Sequence, residues 1–251
     1  MRDDQTEQAL VGGNMNRVTR IGGEVRRSAG SWTPNVHALL AALEEAGIEG
    51  TPRVLGMATD GRERLSFIEG EVAHYPLPEW LWDAGILVSS ARLLRRIHDA
   101  SVESARTSTG WRMPSREPIE VVCHNDFAPY NLIFQDRLLV GAIDFDMAAP
   151  GPRLWDLAYL AYRLIPYAED AEAPLSVRRA EPARLATLLS AYGTDASARS
   201  LWQMMAVRLD ALANHSLRES TIRPELAMHA AMYERDAIRM RARVESVAES
   251  A

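Results

Sequence analysis

Hydrophobic positions change period along this chain, and each change marks an element. Over residues 9–28 short apolar runs alternate with glycine pairs: Ala9-Leu10-Val11, then Asn16 to Ile21, then Glu24 to Ser28, separated by Gly12-Gly13 and Gly22-Gly23. That spacing predicts three strands joined by hairpin turns. Trp32-Thr33-Pro34 opens a helix, with Thr33 as cap and Pro34 at the first helical position. The helix runs to about Glu45 and Gly47 stops it. Pro52 to Met57 and Glu63 to Ile68 read as two more strands around the turn Thr59-Asp60-Gly61. Residues 71–82 are Pro-rich and loop-like. Ile86 to Ala100 has helical spacing, with Leu87, Ala91, Leu94 and Ile97 or His98 on one side, so His98 reads as a core side chain. Residues 101–118 are rich in Ser, Thr, Arg and Pro without periodicity and read as a solvent loop.

A second set of strands follows. The apolar run Ile119 to Cys123 ends at His124, and the polar loop His124-Asn125-Asp126-Phe127-Ala128-Pro129-Tyr130-Asn131 leads into Leu132-Ile133-Phe134. Gln135-Asp136-Arg137 is turn chemistry, and Leu138 to Ile143 is an apolar run that delivers Asp144 and Asp146. On an extended chain those two carboxylates point the same way. Ala148 to Pro152 reads as an irregular turn, Trp155 to Leu164 as a helix, and residues 166–182 as polar loop. The remainder is helical, with Leu201, Met205, Leu209 and Leu212 on one face and Leu226, Ala230, Tyr233, Ala237, Met240, Val244 and Val247 on another.

Composition narrows the function classes. The chain has 251 residues, 47% of them apolar, enough for a substantial core. No apolar run reaches membrane-spanning length, and the acidic, polar start MRDDQTEQAL is unlike a secretory signal, so a cytoplasmic location is expected. A single cysteine, Cys123, excludes an internal disulfide and a Cys-based zinc site. A net charge of -6 argues against a nucleic-acid-binding module. All 28 basic residues are arginine, which excludes a Walker A loop, since that loop needs a lysine. Neither H-E-x-x-H nor G-x-S-x-G is present.

The loop and strand ends carry the candidate chemistry. Phosphoryl transfer needs a carboxylate that orients an attacking hydroxyl and accepts its proton, and oxygen ligands that hold Mg²⁺ against nucleotide phosphates. His124-x-Asp126-x4-Asn131 followed by Asp144-Phe145-Asp146 provides both. This stretch resembles the catalytic core of the aminoglycoside phosphotransferase and choline kinase families, relatives of the protein kinases, and Trp155-Asp156-Leu157-Ala158 resembles their following D-L-A.

The resemblance implies an α+β, two-lobed protein-kinase-like fold. Residues 1–70 would form a small antiparallel-sheet nucleotide-binding lobe. Residues 71–251 would form a mostly helical lobe with the catalytic loop and the acceptor-binding region. The implied cofactors are ATP or GTP and Mg²⁺, and the implied partner is a small hydroxylated acceptor, with no nucleic acid and no membrane. Asp126 would be the catalytic base. Asn131 and Asp144 would hold the metal, with Asp146 as a further ligand or as a charge that raises the Asp144 pKa. His124 and Asp156 would support the site. Gly13 and Asn14 fall where the family covers the phosphates. Arg26 and Arg27 stand where it places its phosphate-binding cation: matching the family's L-R-x pattern picks Arg26, strand alternation picks Arg27, and Arg26 is the preferred of the two. His37 occupies the helix position of the family's partner carboxylate. The alternative is a non-catalytic nucleotide- or partner-binding protein, immunity or regulatory, on the same fold.

Overall fold

The structure is a computed structural model that describes residues 7–10 and 18–248. Its N-terminal region is antiparallel sheet and its C-terminal region is helical. The chain gathers into two compact units: residues 1–74 with 96–152, and residues 75–95 with 153–251.

The first unit carries every described strand. Its main sheet runs β1-β2-β3-β5-β4, from β1 (Gln8–Ala9), β2 (Thr19–Ile21), β3 (Glu24–Arg27), β4 (Val54–Met57) and β5 (Glu63–Ser66), all neighbours antiparallel. Between β3 and β4 lies α1 (Thr33–Glu45). Val36, Leu39, Leu40 and Leu43 repeat at helical spacing and are all buried. Burying each such side chain stabilises by about 1.5–3 kcal/mol. The expected cap differs: Trp32 is the N-cap, Thr33 is already helical, and its Oγ1 accepts from the Gly30 N–H at 2.9 Å. The helix ends as expected at Gly47, whose φ of +70° lets Ile48 N–H return to Leu43 O at 2.9 Å.

A three-stranded sheet, β6-β8-β9, positions the polar loop. It is built from β6 (Glu71–Val72), β8 (Leu132–Gln135) and β9 (Leu138–Ala142). Gly50 and Gly141 let β9 approach the turn after α1: Ala142 N–H donates to Gly50 O at 2.8 Å, and a Cβ on Gly141 would lie 2.5 Å from that oxygen.

Two stretches expected to be irregular are ordered. Residues 102–107 form α3 (Val102–Thr107), which packs on β7 (Val121–Cys123), and the Val122 N–H donates to buried Ser101 Oγ. The polar composition of that segment hides a helix with only one buried side chain, Ala105. Ala149–Gly151 is a strand, β10, paired antiparallel with β7. Pro150 donates nothing, but its carbonyl accepts from Arg116 N–H at 2.9 Å.

The second unit is helical. It holds the first part of α2 (Ala84–Ala100), with α4 (Arg153–Leu164), α5 (Leu175–Arg179), α6 (Glu181–Tyr192), α7 (Ala198–Glu219) and α8 (Leu226–Ala248). Helices α5 and α6 replace part of the loop expected over residues 166–182. Helix α7 packs on α4 and α8, and α4 is buried from Trp155 to Leu164. Such burial demands internal polar partners. Tyr162 Oη donates to Asp236 Oδ2 at 2.6 Å, and burial pushes the phenol pKa far above its ordinary value. Arg163 Nη2 donates to Tyr233 Oη at 2.9 Å, with the Tyr159 and Tyr162 rings against its guanidinium. Arg184 binds the terminal carbonyl of α4, Leu164 O, at 2.8 Å. No described helix is long and apolar enough to cross a membrane.

Candidate active site

The loop between β7 and β8 is held by side chains from its own sequence. The Asp126 N–H donates to His124 Nδ1 at 3.2 Å, and the opposite ring nitrogen, Nε2, lies 3.0 Å from Ile143 O. A backbone amide must donate and a carbonyl must accept, so the proton of His124 sits on Nε2. The ring thus spans from the loop to the end of β9. Phe127 and Phe145, both buried, pack against it at 5.6 and 4.6 Å between centroids. Asn125 takes a left-handed φ of 65°, and its Nδ2 donates to Met147 O at 2.8 Å. Cys123 is buried and its Sγ donates to Pro152 O, a core role.

Asp126 and Asn131 meet directly. Asn131 Nδ2 donates to Asp126 O and to Asp126 Oδ2, both at 2.9 Å, and Tyr130 Oη donates to Asp126 Oδ1 at 2.6 Å. These bonds fix the carboxylate and turn the Asn131 amide oxygen away from it. A short 3₁₀ turn, Pro129–Asn131, sets the spacing, and Ile143 N–H donates to Asn131 O at 2.9 Å. The last bond draws the residue before Asp144 onto the loop.

Asp144 and Asp146 do not alternate along a strand as the extended-chain argument expects. Asp144 has φ 66° and ψ 62°, and Phe145–Met147 is a 3₁₀ turn. The two carboxylates nevertheless reach the same cation: Arg27 Nη1 lies 2.8 Å from Asp144 Oδ1, and Arg27 Nη2 lies 2.6 Å from Asp146 Oδ1. The Asp144 side chain is 44% exposed and that of Asp146 only 5%. Arg112 Nη1 faces the other Asp146 oxygen at 3.8 Å and its guanidinium stacks over the Trp32 ring at 4.5 Å. Both oxygens of Asp146 therefore face arginines. Burial, helped by Asp144 and Glu63, holds the Asp146 pKa above its ordinary value, with Arg27 opposing.

Of the two candidate cations, the structure buries Arg27. Strand β3 puts Val25 and Arg27 on one face with Leu65 and Glu63 of β5, and Glu24 and Arg26 on the other with Arg64. Arg26 pairs there with Glu24 at 2.6 Å. Position within a motif and position on a strand face thus give different answers, and the face decides which side chain reaches Asp144.

Glu63 was not among the residues singled out from the sequence. Its Oε1 accepts from Arg27 Nε, and its Oε2 lies 2.8 Å from His37 Nε2. The expected pairing of the strand cation with His37 is therefore indirect, through Glu63. The signal was available: strands reading Glu-Val-Arg-Arg and Glu-Arg-Leu-Ser pair antiparallel with Arg27 opposite Glu63. Burial works to lower the Arg27 pKa, but the negative charges of Asp146, Glu63 and Asp144 outweigh it and hold the pKa above its ordinary value. Asp156 is completely buried in α4. Gly13 and Asn14 lie outside the described residues.

An amide oxygen from Asn131 and a half-exposed carboxylate from Asp144 are the ligand types a hard divalent ion takes, so these two residues could hold one.

The sequence profile described as "Phosphotransferase enzyme family" matches residues 19–202. The trifolitoxin immunity protein of Rhizobium leguminosarum bv. trifolii is 38% identical over 151 residues, 57% of this chain and 56% of that protein. The match thus spans little more than half the length of this curated relative. Three solved structures share the fold at low identity. The GDP complex of aminoglycoside 2'-phosphotransferase-IIIa superposes with a TM-score of 0.63, at 14% identity over 94% of this chain and 93% of that one. Macrolide 2'-phosphotransferase MphH from Brachybacterium faecium gives 0.63, at 16% identity over 94% and 93%. A choline/ethanolamine kinase family protein from Mesorhizobium loti gives 0.60, at 16% identity over 94% and 87%. With a kinase-like fold, a carboxylate-bearing loop braced by His124 and a profile match over most of its length, this chain belongs to the phosphotransferase enzyme family.

Proposed function

We propose that this chain transfers the γ-phosphoryl group of ATP or GTP to a hydroxyl of a small molecule, in the cytoplasm. Residues 1–70 supply the nucleotide-binding part, and residues 71–251 the catalytic loop and a helical acceptor region. One observation carries the reading: Asp126 is immobilised by Tyr130 and Asn131 on a loop that is bonded to the residue preceding Asp144.

Asp126 acts as the base. Its value lies in placement rather than strength, because a carboxylate held in one orientation can receive a hydroxyl proton without reorganising. Arg27 has five N–H donors and directs three of them at Glu63, Asp144 and Asp146, so further donors remain for a phosphate oxygen. Three carboxylates against Arg27 and the more distant Arg112 leave the cluster anionic, which opposes a bare polyphosphate. Mg²⁺, held by Asn131 and Asp144, would supply the missing positive charge on the phosphate oxygens. Asp146 serves in this reading chiefly as the counter-ion of Arg27 and Arg112.

The test is a thermal-shift titration with ATP and GTP, with and without Mg²⁺, followed by a phosphate-transfer screen over amino sugars, amino alcohols and neutral sugars. Binding to the native state raises the melting temperature, by about 2.7 kcal/mol of stability at a hundredfold excess over Kd. The reading expects a Mg²⁺-dependent shift and turnover of at least one acceptor. A second reading, a binding protein without turnover, is favoured by the likeness to an immunity protein. It expects no transfer to any acceptor and, for a protein that binds a partner and not nucleotide, no nucleotide-dependent shift.

A further inference from the structure

Helix α1 presents no carboxylate to the nucleotide cation. Its only acidic residues are Glu44 and Glu45, at its C-terminal end, and its first turn has none. Yet Arg27 is buried and its guanidinium has a fixed orientation. In the kinase template the strand cation is held by a helix glutamate, and helix position controls whether the pair forms.

We propose that Glu63 replaces that glutamate: it is the positioning residue that aims Arg27 at the phosphates, and His37 in turn orients Glu63. This inference rests on the nucleotide-dependent reading above.

Three features of the geometry argue for it. Arg27 and Glu63 are Cα partners on adjacent antiparallel strands, so ladder register alone sets their separation. Glu63 is 1% exposed and binds Arg27 through Nε, the root of the guanidinium fork. An anchor at Nε leaves both Nη groups forward, where each meets one aspartate and keeps a second N–H. Finally, the two oxygens of Glu63 are divided between two elements: Oε1 serves Arg27 of β3 and Oε2 serves His37 of α1. His37 therefore fixes the carboxylate plane while being unable to replace its charge. The pair is assembled by the sheet itself, so the clamp stands ready without any displacement of α1.

The experiment compares wild type with Glu63→Gln, His37→Asn and the double variant Glu63→Gln with His37→Glu. Nucleotide Kd is measured with Mg²⁺ by thermal shift and calorimetry, and kcat and KM by hydrolysis without acceptor. Glutamine keeps the shape of Glu63 and its removal of one carboxylate lightens an anionic cluster, so folding is expected to survive. Glu63→Gln should raise nucleotide Kd and KM about tenfold, equivalent to about 1.4 kcal/mol, with little change in kcat. His37→Asn should raise them less, about threefold, and His37→Glu should restore much of the loss in the double variant. A purely structural role would lower the melting temperature and leave Kd and KM unmoved. Unchanged Kd in both single variants, with a normal wild-type response, overturns the inference alone. A wild type that no nucleotide stabilises overturns the functional reading and this inference together. Should Glu63→Gln fail to fold, His37→Asn decides: unchanged Kd there counts against the proposal.

Discussion

Replacing Arg27 by methionine removes the one cation that all three carboxylates share. Glu63 and Asp146 have side chains only 1% and 5% exposed, so each stays buried while losing Arg27, Glu63 keeping His37 and Asp146 the more distant Arg112. Asp144, at 44%, faces solvent and adds little. Breaking a buried pair from one side costs about 3–5 kcal/mol. In a chain of this size each kcal/mol moves the melting temperature by about 2–4 °C, so Arg27→Met should melt roughly 6–20 °C below wild type. Arg26→Met is the control: its pair with Glu24 is partly exposed, and the cost should stay below about 1 kcal/mol. The deficit should also depend on pH. Burial already raises the Asp146 pKa in the folded state, and Arg27 opposes the rise. A raised folded pKa means the fold prefers protonated Asp146, so stability is lost as pH rises from the unfolded pKa through the folded one. Without Arg27 that window extends upward, and the deficit should be larger at about pH 8 than at about pH 5. Scanning calorimetry at both values, with and without Mg²⁺, reads this directly, and Mg²⁺ should restore the variant more than it raises wild type. A variant melting within about 2 °C of wild type, or a deficit that ignores pH, would refute the reasoning.

Other expectations concern the frame around the site. Gly141→Ala places a Cβ 2.5 Å from Gly50 O, where backbone must give way, and should cost about 1–3 kcal/mol by urea unfolding. Tyr162→Phe removes the 2.6 Å bond to Asp236 and should cost about 1–3 kcal/mol in the same measurement, while nucleotide binding stays unchanged. Asn131→Ala frees one side of Asp126 and removes an amide oxygen, so it should weaken the Mg²⁺-dependent part of the nucleotide thermal shift while leaving the protein folded.

Elements with strong local signals were readable from the chain. The stripe Val36, Leu39, Leu40, Leu43 defines α1, and the runs on either side of His124 and Asp144 define the loop and its strands. The helix over residues 102–107 was not readable, because a six-residue helix with a single buried alanine leaves no periodic trace. Strand β10 was hidden by its proline, which usually marks an irregular segment. Asp126, Asn131 and Asp144 are legible as candidates because their spacing lies within one continuous stretch. Glu63 was missed because its role depends on pairing with a strand 36 residues earlier, and only register reveals that. The same register separates Arg27 from Arg26, which a linear motif cannot do.

Phosphorus NMR of ATP or GTP with Mg²⁺ tests the central claim most directly, because it watches the γ-phosphate itself. Wild type should convert nucleoside triphosphate to diphosphate, and Asp126→Asn should slow this by about a hundredfold or more while keeping the nucleotide-induced rise in melting temperature. Conversion by Asp126→Asn at the wild-type rate would contradict the account.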